Sequence, residues 1–154
     1  MMKPARLVVG VVMARQRLAS KWAAFKWEAC GVIASESAAP TRRVLIGDES
    51  ERHMLFEGYA IELHRDESEG YYLNLNAPQP KVFVMWRLHG EEPQPHSVTV
   101  SYHEAARLLD AGEQVDAVAM PAGMAQWIAG FVEQHYRPEP KKVRKRDPRS
   151  GVGR

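Results

Sequence analysis

Residue types able to do chemistry are few and scattered in this sequence. Six histidines stand at positions 53, 64, 89, 96, 103 and 135, with no H-x-x-x-H spacing and no cysteine pair beside them. A zinc site usually writes part of its ~4-ligand set as such local pairs, so no metal ligands are expected. Cys30 is the only cysteine and lies in the apolar stretch AFKWEACGVIA. There a buried thiol stays protonated and inert, because a reactive one needs an electropositive, partly exposed setting. A single cysteine forms no internal disulfide, in keeping with a reducing compartment. Glu62 and His64 fall on one outward strand face and have the types of an acid–base pair. Two solvated polar groups on the wet side of a strand show the same spacing, and that reading is preferred. Ser97 and Ser101 lack a G-x-S-x-G elbow. No G-x-x-x-x-G-K-[ST] occurs, and no G-x-G-x-x-G follows a strand. The tetrapeptide DESE appears at 48–51 and again at 66–69. Neither copy has the regular oxygen spacing and internal turn glycine of a calcium loop. Both read as solvated hairpin turns, since Asp and Ser side chains bond nearby backbone. No catalytic, cofactor-binding or metal-ligating set emerges, and no cofactor is expected.

The strongest local signal is cationic. KKVRKR places Lys141, Lys142, Arg144, Lys145 and Arg146 within six residues. Residues 137–154 hold eight Lys/Arg against two Asp/Glu, a net +6; residues 1–136 hold 13 against 17, a net −4. The overall +2 and the basic pI of 8.8 therefore belong to the tail. An acidic body argues against a fold that wraps nucleic acid, which needs a basic face. The tail itself could meet a polyanion or an acidic protein surface, attenuated by salt. No aromatic follows Tyr136, so the tail cannot stack bases. With one apolar Val143 among charges, RPEP onward cannot pack, and residues 137–154 are expected to be disordered when free.

The elements that would position any site come from hydrophobic period. LVVGVVMA (7–14) follows Lys3 and Arg6 and partly resembles a signal peptide. It runs into Arg15, Arg17 and Lys21 where small residues should prepare cleavage, so a buried strand over 6–16 is the better reading. Strands are also expected at 24–34, 42–47, around 54–64 with a bulge or bend at Gly58, at 70–76 (GYYLNLN), at 81–88 and at 97–100. The bracketing segments 34–41 and 77–80 read as turns, and HGEEPQPH (89–96) as a long hairpin loop. KVFVMWRL is apolar on both faces, as a central strand covered on both sides should be. Ser101 and Glu104 form a capping-box pattern at a helix start. That helix runs to about Ala111 with Ala105, Leu108 and Leu109 inward, and Gly112 caps its end. EQVDAVAM crosses over extended, and Pro121 suits a first helical position. Met124, Trp127, Ile128, Phe131, Val132 and His135 then form one amphipathic stripe. Trp127 is expected in the core; Trp22, beside Lys21, is a candidate for exposure.

Strands followed by helices, joined by hairpin-length links, imply an α+β fold. The expectation is one antiparallel sheet of six or seven strands followed by two C-terminal helices packed on one face. The 154 residues, 45% hydrophobic, suit one domain over residues 1–136 with a core that stands without disulfides or a structural metal. No apolar run approaches the ~20 residues of a membrane span, and a cytoplasmic location is expected. The exposed edge of such a sheet could pair with a second copy.

Two blocks, EGYAIELHRDESEGYYLNLNAPQPKVFVMWRL (57–88) and VSYHEAARLLDAGEQVDAVAMPAGMAQWIAGFVEQHYRPEPKKVRKR (100–146), together with RLVVGVVMARQRLASKWAAFKW, carry a family resemblance. The chain resembles the bacterial domain-of-unknown-function family numbered thirty-three-oh-five over residues ~6–146. The resemblance implies association with respiratory molybdenum-dependent formate dehydrogenase systems and their maturation factors. It transfers no catalytic residue. A non-catalytic accessory or assembly protein, acting on a protein partner, is the first functional expectation. A nucleic-acid or ribosome-associated module working through the basic tail is the second.

Overall fold

The computed structural model describes residues 5–18, 25–47 and 51–137. Its strands are β1 (Ala5–Arg17), β2 (Phe25–Ala34), β3 (Thr41–Gly47), β4 (Glu51–Leu63), β5 (Lys81–His89), β6 (Glu92–Thr99) and β7 (Gln114–Ala119). Three α-helices intervene: α1 (Ser68–Leu75), α2 (Tyr102–Asp110) and α3 (Met124–His135). The α+β class follows. The strands make two antiparallel sheets, however, a four-stranded one in the order β2-β1-β4-β3 and a three-stranded one in the order β6-β5-β7. This corrects the single sheet of six or seven strands. The β4–β5 connection is where continuous pairing fails, because it is filled by α1 and a preceding 3-10 turn, Arg65–Glu67.

Both sheets bury one face in a common core. Val9, Val11, Met13, Trp27, Ala29, Met54, Phe56, Ile61 and Leu63 come from the first sheet, and Val82, Val84, Trp86, Val98 and Val118 from the second. Polar bridges stitch the sheets at two seams. On one, Asp116 Oδ2 on β7 accepts from the Ala29 backbone N–H at 2.8 Å and from Trp86 Nε1 at 2.7 Å. On the other, the Tyr59 hydroxyl on β4 donates to the Pro95 carbonyl at 2.9 Å. The indole of Trp27 donates to the Glu91 carbonyl at 3.0 Å, tying β2 to the β5–β6 turn.

Three further corrections concern elements. GYYLNLN is helical, so the helices are not only the two C-terminal ones. Its alternation of Tyr71, Leu73 and Leu75 misleads because Tyr71 and Asn74, three apart and hence on one helical face, are the residues that bury. Asn74, only 1% exposed, donates from Nδ2 to the Lys81 carbonyl (2.7 Å) and the Val100 carbonyl (2.9 Å), and its Oδ1 accepts from the Lys81 N–H (2.9 Å). The second DESE copy therefore enters a helix rather than a hairpin turn, and the first copy lies outside the described residues apart from Glu51. The segment 89–96 is not a long loop: Gly90, at φ +67, and Glu91 form a tight turn, and β6 begins at Glu92. Pro93 and Pro95 are tolerated in it because β6 is an edge strand, where a missing N–H breaks no second ladder.

Gly58 does mark a bulge, with φ +96 and a register shift between Val9 and Val11. Only half of the capping box forms. Ser101 Oγ accepts from the Glu104 N–H at 3.2 Å, while the Glu104 carboxylate turns to the Thr99 hydroxyl at 3.0 Å. Leu109 is exposed rather than inward, and Pro121 sits in a turn ahead of α3, whose N-cap is Gly123. The stripe on α3 does bury Met124, Ile128 and Val132, with Trp127 and Phe131 partly covered against the core. Phe131 meets the Tyr71 ring edge-on at 5.9 Å, which joins α3 to α1. Trp22 lies outside the described residues.

Candidate interaction surface

RRVLIG is rich in branched apolar residues, which suit a strand, and it pairs with β4 as β3. Glu57 on β4 accepts from Ser35 Oγ at 2.5 Å and from Thr41 Oγ1 at 3.0 Å, gripping both ends of the β2–β3 loop. Those two hydrogen bonds hold the Glu57 carboxyl below its ordinary value. Gly58 packs against Pro40, and a Cβ there would stand 2.7 Å from the Pro40 Cα. Arg42 forms an ion pair with Glu92 on β6. The strand lies at the edge of the four-stranded sheet.

All seven residues of β3 are exposed. Val44 (53%), Leu45 (46%) and Ile46 (61%) form the longest run of exposed large apolar side chains among the described residues. Val44 pairs with Met54 and Ile46 with His53, with a register shift between them. Val44 therefore faces the core side and Ile46 the outer side, so the edge is apolar on both faces. Only β4 pairs with β3, which leaves its other row of backbone N–H and C=O groups without a strand among the described residues. Such an edge is a ready template for a strand from another chain.

The residues singled out from sequence are dispersed. Glu62 and His64 do share an outward face, with His64 Nε2 3.8 Å from Glu62 Oε2 and Arg6 Nε 3.7 Å from Glu62 Oε1. All three are exposed, so solvent screens them. Cys30 is an exposed residue on β2, not a buried one, because a register shift between Val12 and Met13 reverses the side-chain phase and sends Val32 inward instead. Partial desolvation of the thiol and neighbouring Glu28 push its pKa up, which disfavours the nucleophilic thiolate. Ser101 is fully buried and donates to Glu67 Oε2 at 2.5 Å. Arg107 also binds Glu67. Burial opposes ionisation of Glu67, but the hydrogen bonds from Ser101 and Arg107 prevail and its pKa is lowered. Burial pushes the Tyr71 hydroxyl up to about 12. The His89 and His96 rings stack at 5.7 Å. Among the described residues no three His, Cys, Asp or Glu side chains gather as a metal-binding group. Lys141, Lys142, Arg144, Lys145 and Arg146 lie outside the described residues. Sequence reasoning missed Val44, Leu45 and Ile46 as a surface. Their composition is that of any buried strand, and only the sheet order reveals that no strand among the described residues covers them.

Fold and surface together define a two-sheet α+β protein with an apolar strand edge that no strand among the described residues pairs. The chain belongs to the family described as Protein of unknown function (DUF3305), whose model matches residues 8–146. A search of the curated proteins and a search of the solved structures find no match. No helix among the described residues is long and apolar enough to cross a membrane.

Proposed function

We propose that this chain is a non-catalytic accessory or assembly protein that binds a protein partner through the β3 edge, in a bacterial molybdenum-dependent formate dehydrogenase system. The observation that supports it is the exposed run Val44-Leu45-Ile46 on an edge strand whose position is fixed by Glu57 and Arg42. An edge of this kind gains main-chain hydrogen bonds from an added strand, and apolar side chains on its two faces supply burial. The named system comes from the family resemblance, and the cytoplasm is the proposed location. Residues 1–136 act as one domain and the basic segment 137–154 as its appendage. Affinity purification from a formate-grown native host tests the reading. Recovery of dehydrogenase subunits or maturation factors is the expected result; their absence from the eluate contradicts it.

A second reading is favoured by the charge of the tail, +6 over residues 137–154. In it, the tail binds nucleic acid or the ribosome. Deleting 137–154 should then abolish binding, and the log–log salt slope should report release of ~4–6 counterions. A salt-insensitive interaction rules this second reading out.

A further inference from the structure

An unusual row lies near the end of the core face of the four-stranded sheet, with Arg17 and Phe25 one row beyond it on β1 and β2. Register places Trp27 (β2), Arg15 (β1), Arg52 (β4) and Gly47 (β3) side by side across all four strands. The next row inward is Ala29, Met13, Met54 and Val44, and Met13, Met54 and Ala29 belong to the core. Strand alternation therefore directs Arg15 and Arg52 to the core side. Cross-strand neighbours have Cβ atoms about 5 Å apart, and like charges so placed repel.

One donor of each guanidinium is also left unpaired. The Nε atoms of Arg15 and of Arg52 are buried and have no hydrogen-bond partner. Neither arginine forms an ion pair with a carboxylate among the described residues. Of the acids in the same stretch, the described ones, Glu28 and Glu51, alternate with Trp27 and Arg52 and so fall on the opposite face; Asp48 and Glu49 lie outside the described residues. Arg15 is held in place by aromatic rings, its Cζ 4.0 Å from the Phe25 centroid and 5.7 Å from that of Trp27. Gly47 adds no side chain to the row. A pair of adjacent cations with buried donors and no acceptor among the described residues is suited to an acceptor from outside.

We infer that Arg15 and Arg52 form a receptor for a phosphate-type oxyanion at the end of the core face. Two fixed positive charges match a dianion, and guanidinium forks match the tetrahedral oxygens that such a group presents. Trp27 and Phe25 form the apolar wall that keeps Arg15 aligned. The row reaches Gly47 of β3, but the two arginines sit on β1 and β4, and the site stands whether or not the β3 edge binds a partner.

The test titrates inorganic phosphate into the full chain at constant ionic strength, with chloride as the balancing anion, read by calorimetry and by the thermal midpoint. Wild type should bind phosphate saturably and gain a rising midpoint. Arg15→Met and Arg52→Met keep the apolar stem and should each weaken binding by about tenfold or more, as loss of a charge-assisted contact does. Arg43→Met removes a cation whose cross-strand partner is Leu55, on the outer face, and should leave the phosphate response intact. Because the midpoint increment is read within each variant, a change in basal stability does not obscure it. Absence of saturable phosphate binding by wild type overturns the inference. So does an equal phosphate response in wild type, Arg15→Met and Arg52→Met, which would place the anion elsewhere.

Discussion

Asn74 shows how one polar side chain fixes the course of the chain. Its amide closes three main-chain groups, at Lys81 and Val100, in a place sealed from water. Asn74→Ala leaves those groups unpaired, and a loss of about 3 kcal/mol is expected in urea unfolding, since each orphaned group costs on the order of 1 kcal/mol or more. Gly70 is under a different constraint: a Cβ there would run into Ser101 Oγ. Ser101 in turn is committed to Glu67, which also holds Arg107. The folded-state pKa of Glu67 is lowered, so its contribution to stability is complete above the ordinary carboxylate range. It is lost as pH falls through the lowered folded value. Glu67→Gln should therefore cost about 1–2 kcal/mol at neutral pH and flatten the acid side of the stability curve. Urea midpoints of both proteins from about pH 7 to about pH 3 check this; a parallel decline would contradict it.

Among the elements, the ones legible in sequence were those whose period reports burial. β1, β5 and the α3 stripe are of this kind, with Val82–Trp86 buried throughout and Met124, Ile128 and Val132 inward. α1 was not, because its inward residues include a polar Asn74 whose role depends on carbonyls at the start of β5, seven residues on, and just after β6, 26 residues on. β6 was obscured by Pro93 and Pro95, which read as loop until its edge position is known. β3 was legible as a strand, but not as a surface. Leu45→Lys and Ile46→Lys should leave monomer stability within ~0.5 kcal/mol, as substitutions at exposed positions do. Both should lower partner capture, or the tendency to associate, because a charge on an edge strand opposes strand addition. Unfolding curves beside sedimentation measurements separate these two effects.

At the scale of the whole molecule, two sheets act as one body because polar groups bridge their edges. Asp116 does so on one seam through Ala29 and Trp86, and Tyr59 on the other through Pro95. Asp116→Ala should cost about 2–3 kcal/mol, since a charged acceptor serving two donors is removed, and should speed amide exchange in β2 and β7 together. Loss of protection in β7 alone would show that the seam is not shared. Hydrophobic period could not foresee these seams, because they join β2 to β7 and β4 to β6 through single side chains at |i−j| of 87 and 36. Nor could it foresee that Arg15 and Arg52, strands apart in sequence, stand side by side.

The most direct measurement compares wild type with Ile46→Lys in affinity purification from a formate-grown native host, with the dehydrogenase subunits and maturation factors in the eluate quantified against bait. Wild type should retain them and Ile46→Lys should lose most of them, at unchanged bait folding by circular dichroism. Equal recovery by both proteins would contradict binding through the β3 edge, and recovery by neither would contradict the assignment to this system.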